Sequence, residues 1–143
     1  MIGRPEYTEI EHTADVGLEL VAPDLRSALE SAAAAMFDVM CDVDTVEPRT
    51  TERVSISARE GDLENLLVRW LAELIYLSRT RHLLFSKFDV REIAGGELLA
   101  DVAGEEFDPG RHAMLTDIKA PTYHQLRIEE RGGSWSVRVI FDV

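Results

Sequence analysis

The segment EIEHTADVGLEL, residues 9–20, sets the outline of the fold. Its second half alternates apolar residues with small or charged ones, and a period of two is typical of a strand with one buried face. The apolar side would carry Val16, Leu18 and Leu20. The sequence therefore predicts strands over residues 5–12 and 16–21, with the polar group His12-Thr13-Ala14-Asp15 at their junction.

Two stretches with helical periodicity follow later in the chain. In PDLRSALESAAAAMFDVMCD, residues 23–42, apolar positions recur every three or four residues, and Pro23 and Asp24 suit a helix start. In LENLLVRWLAELIYLSRTR, residues 63–81, apolar residues cover most of the circumference, with Asp62 as a candidate N-cap. A helix that is apolar nearly all round is expected at the centre of the core.

Strand patterns account for most of the remaining chain. ERVSISARE at 52–60 alternates, and glycine pairs in AGG at 94–96 and RGG at 131–133 predict two hairpins. The hairpin strands would be 83–93 with 97–107, and 122–130 with 134–143. Because helices interrupt a mainly antiparallel set of strands, the sequence predicts an α+β fold with two helices, in one compact domain over residues 1–143.

Composition limits the classes of partner. The 143 residues are 45% hydrophobic and 29% charged, as in soluble globular proteins, and 27 acidic residues against 15 basic ones give a formal charge of −12. This balance argues against direct binding to nucleic acid and to anionic membranes, since phosphate contacts require clustered Lys and Arg. The negative net charge permits a basic protein partner or bound cations. The alternative is that it serves only to keep the protein soluble.

The cysteine count and the hydropathy pattern bear on the compartment. Cys41 is the only cysteine, which excludes an intramolecular disulfide and a cysteine-based zinc site. Because it falls in an apolar helical pattern, a buried structural thiol is favoured over a nucleophile. No signal peptide is recognisable, and no apolar stretch approaches the ~18 residues of a membrane span. A cytoplasmic location without a membrane is therefore expected.

Three polar groups could carry chemistry. They are His12-Thr13-Ala14-Asp15, Asp117-Ile118-Lys119-Ala120-Pro121-Thr122-Tyr123-His124 and Asp142-Val143. Each has a plain structural explanation as well. Asp15 can form a turn, and His12 can be a satisfied strand histidine. Lys119 can be a solvated surface residue, and Asp142 an exposed tail residue.

The functional alternative joins the two ends of the chain. If the first and last strands lie close in one sheet, Asp15 and Asp142 can meet. Two carboxylates about 4 Å apart repel by roughly 4 kcal/mol at an effective dielectric of 20, so a shared proton, a lysine such as Lys119 or a cation must compensate. Hard cations such as Ca²⁺ take oxygen ligands, which Asp15, Asp142 and the terminal carboxylate of Val143 offer. Their spacing matches no recognisable cation loop.

Four motifs in order carry a family resemblance. They are HTADVGLEL at 12–20, NLLVRWLAELIYL at 65–77, DIKAPTYHQLRI at 117–128 and WSVRVIFDV at 135–143. Together they resemble the archease family over nearly the whole chain, from about residue 7 to the last residue. One such motif would be weak, whereas all four at this overall length are specific.

The resemblance implies a compact α+β fold and an accessory role without catalytic residues. Archeases act as cofactors of RtcB-type RNA ligases, which join RNA ends with guanosine triphosphate and manganese in tRNA splicing and RNA repair. The archease promotes guanylylation of the ligase's active-site histidine and its multiple turnover. A more general chaperone role for nucleic-acid-handling proteins has also been proposed for the family.

The resemblance also implies a set of site residues. A divalent cation, with calcium as the expected ion, would be held by Asp15, Asp142 and Val143. Lys119 would activate the ligase together with the same two aspartates. The candidates for supporting contacts around this site are His12, Thr13 and His124.

Two other functions compete with this one. A small metal-dependent hydrolase could use Asp15, Asp142, His12 and His124, but the sequence contains no nucleophile elbow, phosphate-binding glycine loop or zinc-binding His pair. A chaperone-like module would need a sizeable exposed apolar patch, and the alternating strands predict none.

Overall fold

The computed structural model describes residues 5–12 and 15–143, with only the backbone of Glu11 and His12. The elements, in chain order, are β1 (Thr8–His12), β2 (Asp15–Ala22), α1 (Leu25–Met40), a short 3-10 helix (Val43–Thr45), β3 (Thr50–Ser57), α2 (Leu63–Arg81), β4 (Leu83–Ala94), β5 (Glu97–Glu106), β6 (Ala120–Pro121), β7 (Arg127–Arg131) and β8 (Ser134–Asp142).

The described strands form two sheets, and every pairing among them is antiparallel. One sheet has the order β1-β2-β8-β6, with β7 also paired to β8, and the other has the order β3-β5-β4. Both sheets and both helices contribute to a shared hydrophobic core. The predicted α+β fold with two helices and antiparallel sheets is therefore confirmed.

The strand β8 is the centre of the larger sheet. It pairs with β2 along one edge, so that β6 and β7 must share its other edge. Val16, Leu18 and Leu20 of β2 lie opposite Phe141, Val139 and Val137, and all six are buried. The opposite face carries the intervening residues, including Asp15 and Asp142, because successive strand residues point to opposite faces.

Both helices begin at the predicted caps. The Asp24 side chain accepts a hydrogen bond from the Ser27 N–H at 2.7 Å, and the Asp62 side chain accepts one from the Asn65 N–H at 3.0 Å. The central position of α2 is confirmed, because Trp70 is fully buried and its Nε1–H donates to the Leu29 carbonyl of α1 at 2.9 Å.

The two predicted glycine turns are present. Gly95 and Gly96 have φ values of 60° and 82° between β4 and β5. Two consecutive residues with positive φ are the signature of a type I′ turn, whose twist matches that of the flanking strands. The pair at 132–133 repeats this geometry between β7 and β8.

Gly104 lies at a position in the smaller sheet where the backbone of β4 approaches very closely. It lies opposite Thr50 of β3 and Phe85 of β4, next to a register shift between Phe85 and Lys87. A Cβ at this position would overlap the Leu84 carbonyl oxygen and lie 2.7 Å from the Phe85 Cα. Only glycine fits, because the colliding atoms belong to the backbone.

Two sequence predictions need correction. The strand expected over residues 122–130 begins only at Arg127, because a turn precedes it and Gln125 adopts a left-handed φ of 52°. The two-residue strand β6 was not predicted, since Ala120 and Pro121 are too few to show a period. No helix among the described residues is long and apolar enough to cross a membrane.

Candidate functional site

Asp15 and Asp142 lie directly opposite each other on β2 and β8. Opposite residues of an antiparallel pair project from the same face with Cβ atoms about 4.5–5.5 Å apart. The prediction that the two ends of the chain bring these aspartates together is therefore confirmed at the level of strand register.

Neither carboxylate of the pair is neutralised by a direct contact within the part of the chain that the structure describes. Asp142 is exposed and Asp15 is partly exposed, and neither carboxylate there makes a hydrogen bond or an ion pair. Four residues along the same face, Glu19 opposes Arg138, whose Nη1 donates to Glu19 Oε1 at 2.8 Å. Like charges placed directly opposite destabilise a sheet, whereas opposite charges stabilise it. Among the described residues, no hydrogen bond or ion pair to either carboxylate offsets the repulsion at the acidic end of this strand pair.

The other edge of β8 brings Lys119 to the same place. Ala120 lies opposite Asp142, and the Lys119 N–H donates to the Asp142 carbonyl at 2.8 Å. The Lys119 side chain is exposed and forms no ion pair with either aspartate in the described ranges. The backbone contact, and not a salt bridge, is what places this lysine beside the aspartates.

Neighbouring contacts fix the segment that carries Lys119. Ile118 is fully buried, and Arg79 of α2 donates to its carbonyl at 3.0 Å and to Asp117 Oδ1 at 2.8 Å. On the other side of β6, the N–H and the hydroxyl of Thr122 both donate to the Ile140 carbonyl, at 2.9 and 2.8 Å. The backbone around Lys119 is thus anchored to α2 and to β8.

The remaining candidates are His12, Thr13 and His124, and only His124 has a described side chain. The His12 backbone lies opposite Asp15, but the side chain of His12 and the whole of Thr13 lie outside the described residues. His124 is exposed in the turn after β6, where its N–H contacts the Thr122 hydroxyl at 3.3 Å. The structure shows no contact between the His124 side chain and the aspartates.

The donor atoms at this end of the sheet suit a hard cation but do not complete a site. Two carboxylates and nearby carbonyls are oxygen ligands of the kind that Ca²⁺ prefers, in sets of six to eight. No group of three or more His, Cys, Asp or Glu side chains in the described portion is arranged to hold a metal ion. Val143, which is 38% exposed, follows Asp142 directly. Among the described residues, backbone oxygens, including those of Val143, would supply further ligands together with water.

A buried ionic cluster near β5 was not predicted. Glu105 is buried and accepts two hydrogen bonds from Arg111, at 2.8 and 2.7 Å, and one from the Glu47 N–H at 2.7 Å. The fully buried His112 side chain accepts from the Asp108 N–H through Nδ1, so its Nε2 carries the proton directed at Glu105, 3.1 Å away. Arg111, together with the Glu47 N–H and His112, holds the pKa of Glu105 well below its usual value, although burial opposes this.

The cluster serves as a structural tie. It joins Glu105 of β5 to Glu47, 58 residues earlier in the chain, and to the nearby loop at 108–112. Cys41 is likewise structural, as predicted. It is fully buried at the end of α1, and burial raises the pKa of its thiol to about 12.

Comparison with known proteins agrees with this architecture. The model of the archease protein family (MTH1598/TM1083) matches residues 7–143. The protein archease of Methanopyrus kandleri is 39% identical over 140 residues, covering 96% of this chain and 99% of its own. That of Sulfurisphaera tokodaii is 40% identical over 139 residues, with coverages of 96% and 99%.

Solved structures show the same fold. The solution structure of protein 1598 from Methanobacterium thermoautotrophicum is 37% identical, with a TM-score of 0.82 and coverage of 96% of this chain and 98% of that one. The crystal structure of an archease from Thermotoga maritima, described as a possible chaperone, is 23% identical with a TM-score of 0.63 and coverage of 94% of each chain. The latter likeness concerns the fold alone. The chain described here belongs to the archease family.

Proposed function

We propose that this protein is a non-catalytic accessory factor that activates an RtcB-type RNA ligase. It would promote guanylylation of the ligase and its multiple turnover, in tRNA splicing or RNA repair in the cytoplasm. The family supports the accessory role, and the observation that carries the proposal is the unneutralised pair Asp15 and Asp142 beside Lys119. A fold keeps a costly arrangement of like charges where function requires it.

The acidic pair would act on charge in the ligase's active site. Asp15 and Asp142, with Val143, would hold a divalent cation, with calcium as the expected ion. Such an ion supplies positive charge that offsets the carboxylate repulsion and attracts phosphate oxygens. Lys119 lies one strand away and would present a second positive group to the same region. The net charge of −12 would guide the protein toward a basic partner and away from RNA itself.

The first test removes one carboxylate at a time. Asp15→Asn and Asp142→Asn should each lower the stimulation of ligase guanylylation at least ~10-fold, because the group that faces the developing charge is lost. Lys119→Met should lower it as well. Glu97→Gln, which alters an exposed carboxylate of the smaller sheet, should leave it unchanged. Guanylylation is measured with substoichiometric ligase, guanosine triphosphate and manganese, and full stimulation by either Asn variant would contradict the proposal.

Stability provides a readout that does not involve the ligase. In the presence of chelator, Asp142→Asn should raise the free energy of unfolding by about 0.2–1 kcal/mol, because it removes a like-charge pair. Addition of calcium should raise the Tm of the wild-type protein and have little effect on the variant, because only a ligand that binds the native state stabilises it. Equal calcium shifts in both proteins would exclude this pair as the cation site.

A chaperone-like activity is the second candidate. This activity is favoured by the exposed side chains of Met114 and Leu115. Both residues lie outside the strands, so the alternating strand pattern could not predict their exposure. Suppressed aggregation of unrelated client proteins would support it. Hydrolysis of nucleotides or esters by the purified protein alone would instead support the hydrolase alternative.

A further inference from the structure

An apolar groove lies between the C-terminal ends of the two helices and the segment that leads to Lys119. Its volume is about 350 Å³. The apolar lining residues are Met40, Leu83, Leu84, Phe107 and Met114. Arg79 and Asp117 form its polar rim, joined by their ion pair at 2.8 Å. A groove of this size accommodates one or two large side chains of a partner.

Exposed apolar side chains occur at the groove and next to the acidic pair. Six large hydrophobic side chains are exposed among the described residues. Three of them lie in the groove lining, next to that lining in the chain or directly after Asp142, namely Met114 (49%), Leu115 (64%) and Val143 (38%). Single exposed hydrophobic residues need no explanation, whereas a cluster beside a charged site is typical of an interface.

The backbone holds Met114 and Leu115 in place. Met114 forms a β-bridge with Cys41, and the Leu115 N–H donates to the Met40 carbonyl at 2.9 Å. Both contacts are to the C-terminal end of α1, whose last turn is buried. The exposure of these side chains therefore does not arise from a frayed loop. A side chain on a fixed backbone loses little conformational entropy when a partner covers it.

The rim of the groove lies close to the acidic pair. Asp117 of that rim precedes Ala120 by three residues, and an extended chain spans at most about 3.6 Å per residue, which limits their separation to roughly 11 Å. Ala120 lies opposite Asp142. A standard interface of about 800 Å² per partner covers such a distance. A single partner can therefore contact the groove and the carboxylates together.

We infer that the groove lined by Met114 and Phe107 anchors an apolar side chain of the partner ligase, while Asp15 and Asp142 with their cation face the active site of that ligase. This inference rests on the proposed function and assigns the groove to affinity and the acidic end to activation. The net charge of −12 selects a basic surface around the partner's apolar anchor. Buried apolar anchors supply most of the affinity of such an interface, and the charges supply orientation and association rate.

The test compares two variants, here called the groove variants, with Val21→Asp. Met114→Asp changes the groove lining, and Leu115→Asp changes the exposed residue that follows it. Val21 is an exposed apolar residue on the strand paired with β8, and its replacement adds the same charge away from the groove. The groove variants should raise the concentration for half-maximal stimulation of the ligase about 10-fold or more, with the same maximal stimulation at saturation. Val21→Asp should behave as wild type. Direct binding to the ligase is measured in parallel by calorimetry, after circular dichroism has shown that each variant is folded.

The possible outcomes separate the two proposals. If wild type stimulates the ligase and the groove variants match Val21→Asp in affinity, the docking inference is overturned and the proposed function stands. If wild type binds without stimulating, the proposed function fails, and the affinities of the groove variants alone decide the inference. If wild type does not bind, both fail. If the groove variants lose suppression of aggregation of unrelated clients but keep ligase affinity, the groove serves general client binding, which contradicts docking of one partner.

Discussion

Gly104→Ala is expected to destabilise the protein by more than ~4 kcal/mol and to disrupt the smaller sheet. The added methyl group would occupy the position of the Leu84 carbonyl and would also meet the Phe85 Cα. Gly104 is held from both sides, because β3 and β4 flank β5 at this point. Neither neighbouring strand can move away without breaking its backbone hydrogen bonds with β5. Rotamer changes cannot relieve the overlap, because the colliding atoms belong to the backbone.

Chemical denaturation followed by circular dichroism measures this effect. The matched control is Gly110→Ala, where the nearest atom to the added Cβ is the flexible Asp108 carboxylate oxygen at 3.3 Å. That variant should lie within about 1 kcal/mol of wild type. A Gly104→Ala protein with wild-type stability would show that the irregularity between Phe85 and Lys87 can shift, and that the contact is not obligatory.

Glu105→Gln is expected to destabilise the protein by about 3 kcal/mol at neutral pH. The buried carboxylate accepts hydrogen bonds from Arg111, from the Glu47 N–H and from His112. An amide has one acceptor atom in place of two. With the amide oxygen at the position of Oε2, which serves the Glu47 N–H, His112 and one Arg111 nitrogen, the NH₂ group would meet Arg111 Nη1 donor against donor and leave the buried charge pair broken.

The pH dependence of stability should identify the carboxylate. Because the folded-state pKa of Glu105 lies below the unfolded value of about 4.5, its stabilisation is complete above that pH and is lost as the pH falls toward the folded-state pKa. The stability difference between wild type and Glu105→Gln should thus be constant above about pH 5.5 and shrink below pH 4.5. Glu106→Gln, which changes an exposed neighbour, provides the control and should alter neither the free energy of unfolding nor its dependence on pH. A difference that does not change with pH would assign the loss to packing.

Local chemistry explains what the sequence could predict. Asp24 and Asp62 are acceptors placed directly before apolar helical periods, and adjacent glycines between alternating stretches allow one turn type. These signals lie within a few residues of the structure that they specify. The meeting of Asp15 and Asp142 needed one further assumption, that the first and last strands share a sheet, and the register confirms it.

Features that depend on distant partners could not be predicted. The need for glycine at 104 arises from an irregularity in β4, about twenty residues away in the chain, and no local pattern reports it. Glu105 lies in a predicted strand and His112 in a loop, and nothing in the adjacent sequence shows that the fold buries both side chains. The strand β6 exists only because β8 offers an edge to two residues that have no strand period of their own.

The central position of β8 has a consequence for biosynthesis. During translation, the hairpin of β1 and β2 leaves the ribosome more than a hundred residues before its main partner, β8, is complete. Until then one edge of β2 and one apolar face stay uncovered, and such nascent edges are prone to association with other chains. The larger sheet is therefore complete only when β8, residues 134–142, has been synthesised. Nascent chains stalled before residue 134 should be the protease-sensitive and aggregation-prone species.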